Sequence, residues 1–184
     1  MQRPFLIGPR LYLRAPELED VDRLIGWVTH PEVRRFLSRS APLTRLQEEA
    51  WLRGLDPSRD QVFVVVLREG ERGVGCAGLH GLGGPDRHAT LGIAIGEPDA
   101  WGQGYGSEVI GLLLEHAFGA LNLHRVHLNV WASNARAIAC YERLGFVREG
   151  TRREAHWQDG AWVDELDMAI LDREWRARAR ATSR

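Results

Sequence analysis

The feature that most constrains this chain is Gly102-Gln103-Gly104-Tyr105-Gly106-Ser107, set between an extended run and a long apolar helical pattern. Glycines without a Cβ let the main chain turn tightly and bring several N–H groups toward one anion, and the helix that follows adds the positive end of its dipole. The segment therefore describes a cradle for a pyrophosphate. It departs from the dinucleotide fingerprint, because Ser107 stands where the third glycine is needed. It also lacks the lysine of a nucleotide-hydrolase phosphate loop, since all 24 basic residues of the chain are arginine. Read alone, the loop is equally an unliganded strand-to-helix turn, and the rest of the chain decides.

With 184 residues, 44% hydrophobic and 27% charged, the chain suits a single catalytic domain with its core over about residues 8 to 175. A formal charge of −1 gives no electrostatic case for a nucleic-acid partner, and no run has the length or apolarity of a membrane span. The absence of lysine excludes Schiff-base lysine chemistry. Cys76 and Cys140 are too few for a disulfide framework, and Met1-Gln2-Arg3-Pro4 lacks the apolar segment of a secretory signal, so a cytoplasmic protein is expected.

Periodicity predicts a strand over Leu11 to Ala15 and then a helix starting at Pro16-Glu17, with Val21, Leu24, Ile25 and Val28 on one face. Helical stretches over Pro31 to Leu37 and Thr44 to Leu55, separated by Ser40-Ala41-Pro42, are expected to wall one side of a substrate cleft. The continuous run Val62 to Leu67 reads as a strand covered on both faces, followed by strands at Gly73 to Leu79 and Ala89 to Gly96. From Gly104 the pattern is helical, with Ile110, Leu114, Ala117, Phe118 and Leu121 on one stripe, and Arg125 to Trp131 alternates as a strand. A helix after Ser133-Asn134 closes at Gly145, where Phe146 suits the apolar contact of a glycine C-cap. Val147 to Trp157 and Ala161 to Leu171 form a hairpin around Gln158-Asp159-Gly160.

Within the helix after Ser133, Asn134 and Tyr141 lie seven residues apart, about two turns, so they share a face with Ala137 between them. A small residue between two polar ones leaves a groove for a narrow ligand chain. Tyr141 read alone fits an amphipathic core tyrosine better than an acid.

The glycine loop opening a helix, followed by Asn134-x-x-Ala137-x-x-x-Tyr141-x-x-x-Gly145-Phe146, resembles the acyl-CoA-binding core of the GNAT superfamily of N-acetyltransferases. Arg148 to Arg153, Asp159-Gly160, Asp164 and Ile170-Leu171 are more narrowly similar to the branch holding the ribosomal-protein N-terminal and bacterial spermidine acetyltransferases. The resemblance implies an α/β fold: a mostly antiparallel sheet splayed between two parallel strands, 89 to 96 and 125 to 131, and flanked by helices. It further implies acetyl-CoA as co-substrate, its pyrophosphate held by N–H groups of Gly102, Gln103, Gly104, Tyr105, Gly106 and Ser107. Main chain near Ile95 would pair with the pantetheine arm as an added strand. Trp101, where many members carry Gln or Arg, would pack on adenine or pantetheine. Asn134 would bind the pantetheine, and Tyr141 would donate to the departing sulfur.

A tyrosine of pKa about 10 stays protonated beside a thiol of pKa about 8.5, and full transfer would be uphill by roughly 2 kcal/mol, so hydrogen-bond stabilisation is expected. Neutralising an α-amino group of pKa near 8 costs about 1.4 kcal/mol at neutral pH, against about 4.6 kcal/mol for a polyamine nitrogen. Glu97, just past a strand end, is the candidate base, directly or through water. Cys140 points about 100° from Tyr141 round the helix and reads as a small core residue rather than an acyl carrier. His80, His88, His116, His124 and His127 fall on different elements, so no metal is assigned. The arginines from 173 to 184 read as a frayed, solvated end.

The expected activity is direct acetyl transfer to a primary amine in a ternary complex. A protein N-terminal α-amino group is the first choice of acceptor. A polyamine or aminoglycoside drawn by Glu154, Asp159, Asp164, Glu165 and Asp167 is the second. A non-catalytic acyl-CoA sensor is the alternative of another class, and a homodimer through the hairpin follows from the family analogy alone.

Overall fold

In a computed structural model that describes residues 3–37 and 41–182, eight strands form one sheet in the order β1-β2-β3-β4-β5-β6-β8-β7. They are β1 (Leu6–Ile7), β2 (Leu11–Arg14), β3 (Asp60–Leu67), β4 (Arg72–His80), β5 (His88–Ile95), β6 (Arg125–Trp131), β7 (Val147–Gln158) and β8 (Ala161–Leu171). Every neighbouring pair is antiparallel except β5 and β6. The helices are α1 (Val21–Thr29), α2 (Pro31–Arg34), α3 (Arg45–Arg53), α4 (Tyr105–Glu115), α5 (Ala135–Leu144) and α6 (Asp172–Thr182).

The apolar run of β3 has no alternation because both faces of the sheet are covered there. Leu11, Leu13, Phe63 and Val65 face the larger core with Val109, Ile110, Leu113 and Leu114 of α4, whereas Tyr12, Val64 and Val66 face a smaller one with Leu24 and Trp27 of α1. The stripe of α4 is buried as its spacing predicts and continues through a π-helical turn at His116–Ala120, which buries Ala117 and Phe118.

One close approach fixes the end of β5. A Cβ at Gly96 would lie 2.0 Å from Cγ of Trp27, so the indole can lie against the main chain only because residue 96 is glycine. Trp27 Nε1 then donates to Glu97 Oε1 at 2.8 Å, and the N–H groups of Gly96 and Glu97 both reach the Val74 carbonyl.

β5 and β6 pair only at His88–Arg125, Ala89–Val126 and Thr90–His127. Beyond Thr90, β5 stays with β4 up to Ile95, while β6 stays with β8 up to Trp131, so the two strands diverge. The expected splay is therefore present, and it arises because each strand follows its antiparallel partner.

The C-terminal arginines differ from the expectation of a frayed end. Asp172–Thr182 is helical, with Trp175 packed on the core, Arg176 Nε donating to Asp172 at 2.6 Å and Arg178 donating to the Arg143 carbonyl at 2.6 Å. A single apolar anchor amid arginines carries almost no periodic signal, which is why the pattern conceals this helix. Ser40 lies outside the described residues. Of the two helical stretches expected to wall the cleft, the first shortens to α2 and contributes Val33, Phe36 and Leu37 to a cavity wall, whereas α3 packs against α1 and contributes none.

Candidate active site

The gap between β5 and β6 opens into a cavity of about 890 Å³, walled by the outer part of both strands, the Trp101–Ser107 loop, α5 and the segment from Glu32 to Leu37. Its floor is the glycine turn. Gly102 and Gly104 sit at φ of 74° and 81°, left-handed conformations that residues with a Cβ adopt only at a cost of about 1–2 kcal/mol. They deliver the chain into α4 with Gly104 as N-cap and no side chain capping the helix. The first main-chain bond of α4 is Glu108 N–H to the Gly104 carbonyl, and among the described residues no acceptor takes the N–H groups of residues 102 to 107. A run of uncommitted amides at a helix start is a built anion site. Arginines hold this turn and colour its field. Arg10 donates to the Gln103 carbonyl at 2.8 Å and to Glu108 at 2.7 Å, and Arg143 donates to Ser107 Oγ at 3.2 Å. Gly102, Gly104, Tyr105, Gly106 and Ser107 line the cavity; Gln103 turns outward, its Nε2 on the Asp99 carbonyl at 2.6 Å.

Helix α5 supplies the opposite wall. Asn134 Oδ1 accepts from the Ala137 N–H at 3.2 Å as the N-cap, which leaves the amide NH₂ for a ligand. Asn134, Ala137 and Tyr141 all line the cavity, as their shared face requires, and Gly145 at φ 100° ends the helix with Phe146 buried. Tyr141 is only 8% exposed and its hydroxyl has no partner among the described residues. Burial, with Cys140 beside it, raises the phenol well above its usual value of 10.0, so it keeps its proton and can donate a hydrogen bond at neutral pH. Cys140 packs on the core as its side of the helix predicts, yet it also reaches the cavity, where Sγ lies 3.2 Å from Ser107 Oγ.

Two sequence expectations meet other partners. The Ile95 carbonyl, expected to face a pantetheine arm, accepts from Trp101 Nε1 at 2.8 Å. Trp101 in turn carries the Arg136 guanidinium over its ring at 4.0 Å, so that ring is already covered on one face. Since Gly96 bonds to Val74 across the β4 ladder, Leu91, Ile93 and Ile95 turn their main-chain groups toward the gap. Ile93 thus offers the open strand edge that Ile95 only partly retains. Glu97, expected as the base, does not line the cavity, because its carboxylate is drawn to the Trp27 indole on the α1 side of the sheet. The carboxylates that do line the cavity are Glu32 and Glu165. Glu165 was legible only as one of an acidic set, and Trp131 and Asn129, which also line the cavity, carried no motif. Among the described residues no group of three or more His, Cys, Asp or Glu side chains is arranged to hold a metal ion.

Residues 10–147 match the model of the acetyltransferase (GNAT) domain. The chain belongs to the GNAT acetyltransferase family. As a GNAT protein it is an acetyl-CoA-dependent N-acetyltransferase, similar at 27% identity over 178 residues to the uncharacterized N-acetyltransferase p20 of Bacillus licheniformis, across 92% of this chain and 97% of that one. A spermidine N(1)-acetyltransferase of Vibrio cholerae is 35% identical over 89 residues, 48% of this chain and 51% of the relative. The crystal structure of spermidine N-acetyltransferase from Vibrio cholerae in complex with CoA and spermine superposes with a TM-score of 0.84 at 26% identity, covering 92% of this chain and 99% of that one. In this GNAT chain no described helix is long and apolar enough to cross a membrane.

Proposed function

We propose that this enzyme moves the acetyl group of acetyl-CoA to a primary amine of a small polycationic acceptor, by direct attack in a ternary complex. The observation that carries the reading is the cavity itself. One end offers uncommitted amides flanked by Arg10, Arg136 and Arg143, which suits a diphosphate. The other end is lined by Glu32, Glu165 and the rings of Phe36 and Trp131, which suits an alkylammonium. The likeness to a spermidine N-acetyltransferase solved in complex with CoA and spermine supports a polyamine acceptor.

The residues take these roles. N–H groups from Gly102 to Ser107 hold the diphosphate, the β5 edge at Ile93 pairs with the pantetheine amides, and the Asn134 amide donates to the same arm across the gap. The thioester then lies between the splayed strands with its sulfur toward Tyr141. The neutral amine attacks the thioester carbonyl carbon, the C–N bond forms, the C–S bond breaks, and the sulfur leaves as thiolate. Tyr141 stabilises that charge by hydrogen bonding; its proton is held too tightly to be given up.

A protein N-terminal α-amino group, the first choice from the sequence, becomes the second acceptor, favoured by a deprotonation cost lower by about 3 kcal/mol. A sensor without turnover would have no use for a hydroxyl aimed into the cavity at Tyr141. Thiol release from acetyl-CoA across a panel of amines tests the reading: polyamines are expected to turn over fastest. Preference for peptide N-termini would move the acceptor to the second reading, and CoA binding without amine-dependent release would leave a sensor.

A further inference from the structure

One extra residue in β7 decides what stands across from the acceptor end of the cavity. Arg148 opposes Met168 and Gly150 opposes Asp167, so Glu149 is inserted between them, and Arg125 of β6 donates to its carboxylate at 2.6 Å. A shift of one residue carries every following side chain of a strand to the other face of the sheet. In an unshifted ladder Thr151 would oppose Glu165; the insertion sets Arg152 there. On the β6 side the partners are Trp131 for Glu165 and Asn129 for Asp167. Three strands thus build one patch, of which Trp131, Asn129 and Glu165 line the cavity.

Arg152 spans this patch. It donates to Glu165 Oε2 at 2.7 Å and reaches Asp167 Oδ1 at 2.9 Å, a diagonal contact left open because Gly150, opposite Asp167, has no side chain. Asn129 donates to the same Asp167 oxygen. His156 Nε2 meets Glu165 Oε1 at 2.9 Å while its ring stacks on Trp131 at 4.3 Å. Glu165 is therefore fixed in place with its side chain 13% exposed, whereas Arg152, 58% exposed, stands outside the cavity lining. An ionised carboxylate oxygen accepts more than one hydrogen bond, so Glu165 keeps capacity for a cation in the cavity. Formally, two carboxylates against one guanidinium leave the patch one net negative charge.

We propose that Arg152 is a specificity-setting residue: it fixes how much positive charge the acceptor carries beside its reacting amine, acting through Glu165 and touching no substrate itself. Each ammonium of the acceptor beyond the reacting one is drawn by Glu165 and the Trp131 face and repelled by the guanidinium behind them. The one net negative charge that Arg152 leaves balances one such ammonium, and further ones gain little. Discrimination then comes from a repulsive element as much as from an attractive one. Because Arg152 is more than half exposed, solvent and salt screen its field, and the effect per charge is modest. The inference rests on this end of the cavity being the acceptor's. It holds equally for a polyamine and for a peptide N-terminus followed by basic residues.

The test is Arg152→Gln in the full chain, assayed by thiol release with butylamine, 1,4-diaminobutane, spermidine and spermine. Arg152→Met is a second neutral variant that keeps the aliphatic stem, and Arg152→Lys preserves the charge. Both neutral variants are expected to lower KM by about threefold for each ammonium beyond the reacting one, more than about tenfold for spermine, with butylamine unaltered and kcat within about twofold. The lysine variant should keep the original ranking, and salt at about 0.5 M should compress the differences. Arg152→Gln added to Glu165→Gln should shift the ranking far less than it does alone. An equal change of KM for every amine, or a change in kcat alone, would overturn the role and leave Arg152 as a strand-pairing contact. The unsubstituted enzyme reports separately on the acceptor. If it prefers peptide N-termini, the same ladder is read with peptides of increasing arginine content; if no amine turns over, polyamine affinity by calorimetry reads it.

Discussion

The two halves of the cavity are built on different principles. The diphosphate end is made by one contiguous stretch of main chain, residues 102 to 107, whose amides stay uncommitted because the chain enters α4 through two left-handed glycines. The acceptor end is made by side chains brought from the segment Glu32 to Leu37, β6 and β8, held by contacts such as Arg35 to Asp159 at 2.7 Å and Gln158 to the Arg35 carbonyl at 2.6 Å. The difference teaches that a cofactor site made of backbone tolerates change in side chains but not in φ, whereas the acceptor site has the opposite sensitivities.

The largest expected effect attacks the backbone half. Gly104→Val forces a β-branched residue to φ 81° and should weaken acetyl-CoA binding by more than about a hundredfold in calorimetry, while acceptor binding is unaltered. If the affinity holds, the contrast between the halves fails at its root. Next, Tyr141→Phe removes the donor to the leaving sulfur and should lower kcat by about a hundredfold, with little change in acetyl-CoA affinity. Turnover at the unsubstituted rate would show that the hydroxyl does nothing in the reaction. Smaller is Glu97→Gln, which keeps an acceptor for the Trp27 indole and should leave the pH–rate profile unshifted and kcat/KM within about threefold. A lost alkaline or acid limb would restore Glu97 as the base.

The smallest effect concerns the seam where the halves remain joined. His127 bonds Thr90, and burial, aided by Arg125 and His88, lowers its pKa below the usual 6.5. The folded state then binds protons less readily than the unfolded chain. Stability is full above about pH 6.5 and falls as pH drops through that value toward the folded pKa. The thermal midpoint should therefore decline below that pH, and His127→Gln should flatten part of the decline. An unchanged slope in the variant would place the pH sensitivity elsewhere, for instance at His116, which burial also shifts down.

The same contrast explains how much was legible in the sequence. β6, α5 with its Asn134 cap and Gly145 stop, and the Asp159-Gly160 turn follow from local spacing, and so does the splayed pair once the family pattern is seen. What escaped depends on register and distance. The two bulges of β7 leave no mark in an exposed strand without alternation, so the approach of His156 to Glu165 and Trp131 was invisible. Glu97 was misdirected because a residue 70 positions away, Trp27, occupies the space against Gly96 and claims the carboxylate. Ile95 lines the cavity as expected, but the contact of its carbonyl with Trp101 from the loop left no mark in the local pattern.

The most direct measurement is a crystal structure of this chain with CoA. The account expects diphosphate oxygens within about 3 Å of main-chain nitrogens between residues 102 and 107, with the pantetheine arm running between β5 and α5. CoA bound elsewhere, or those nitrogens facing only solvent in the complex, would contradict it.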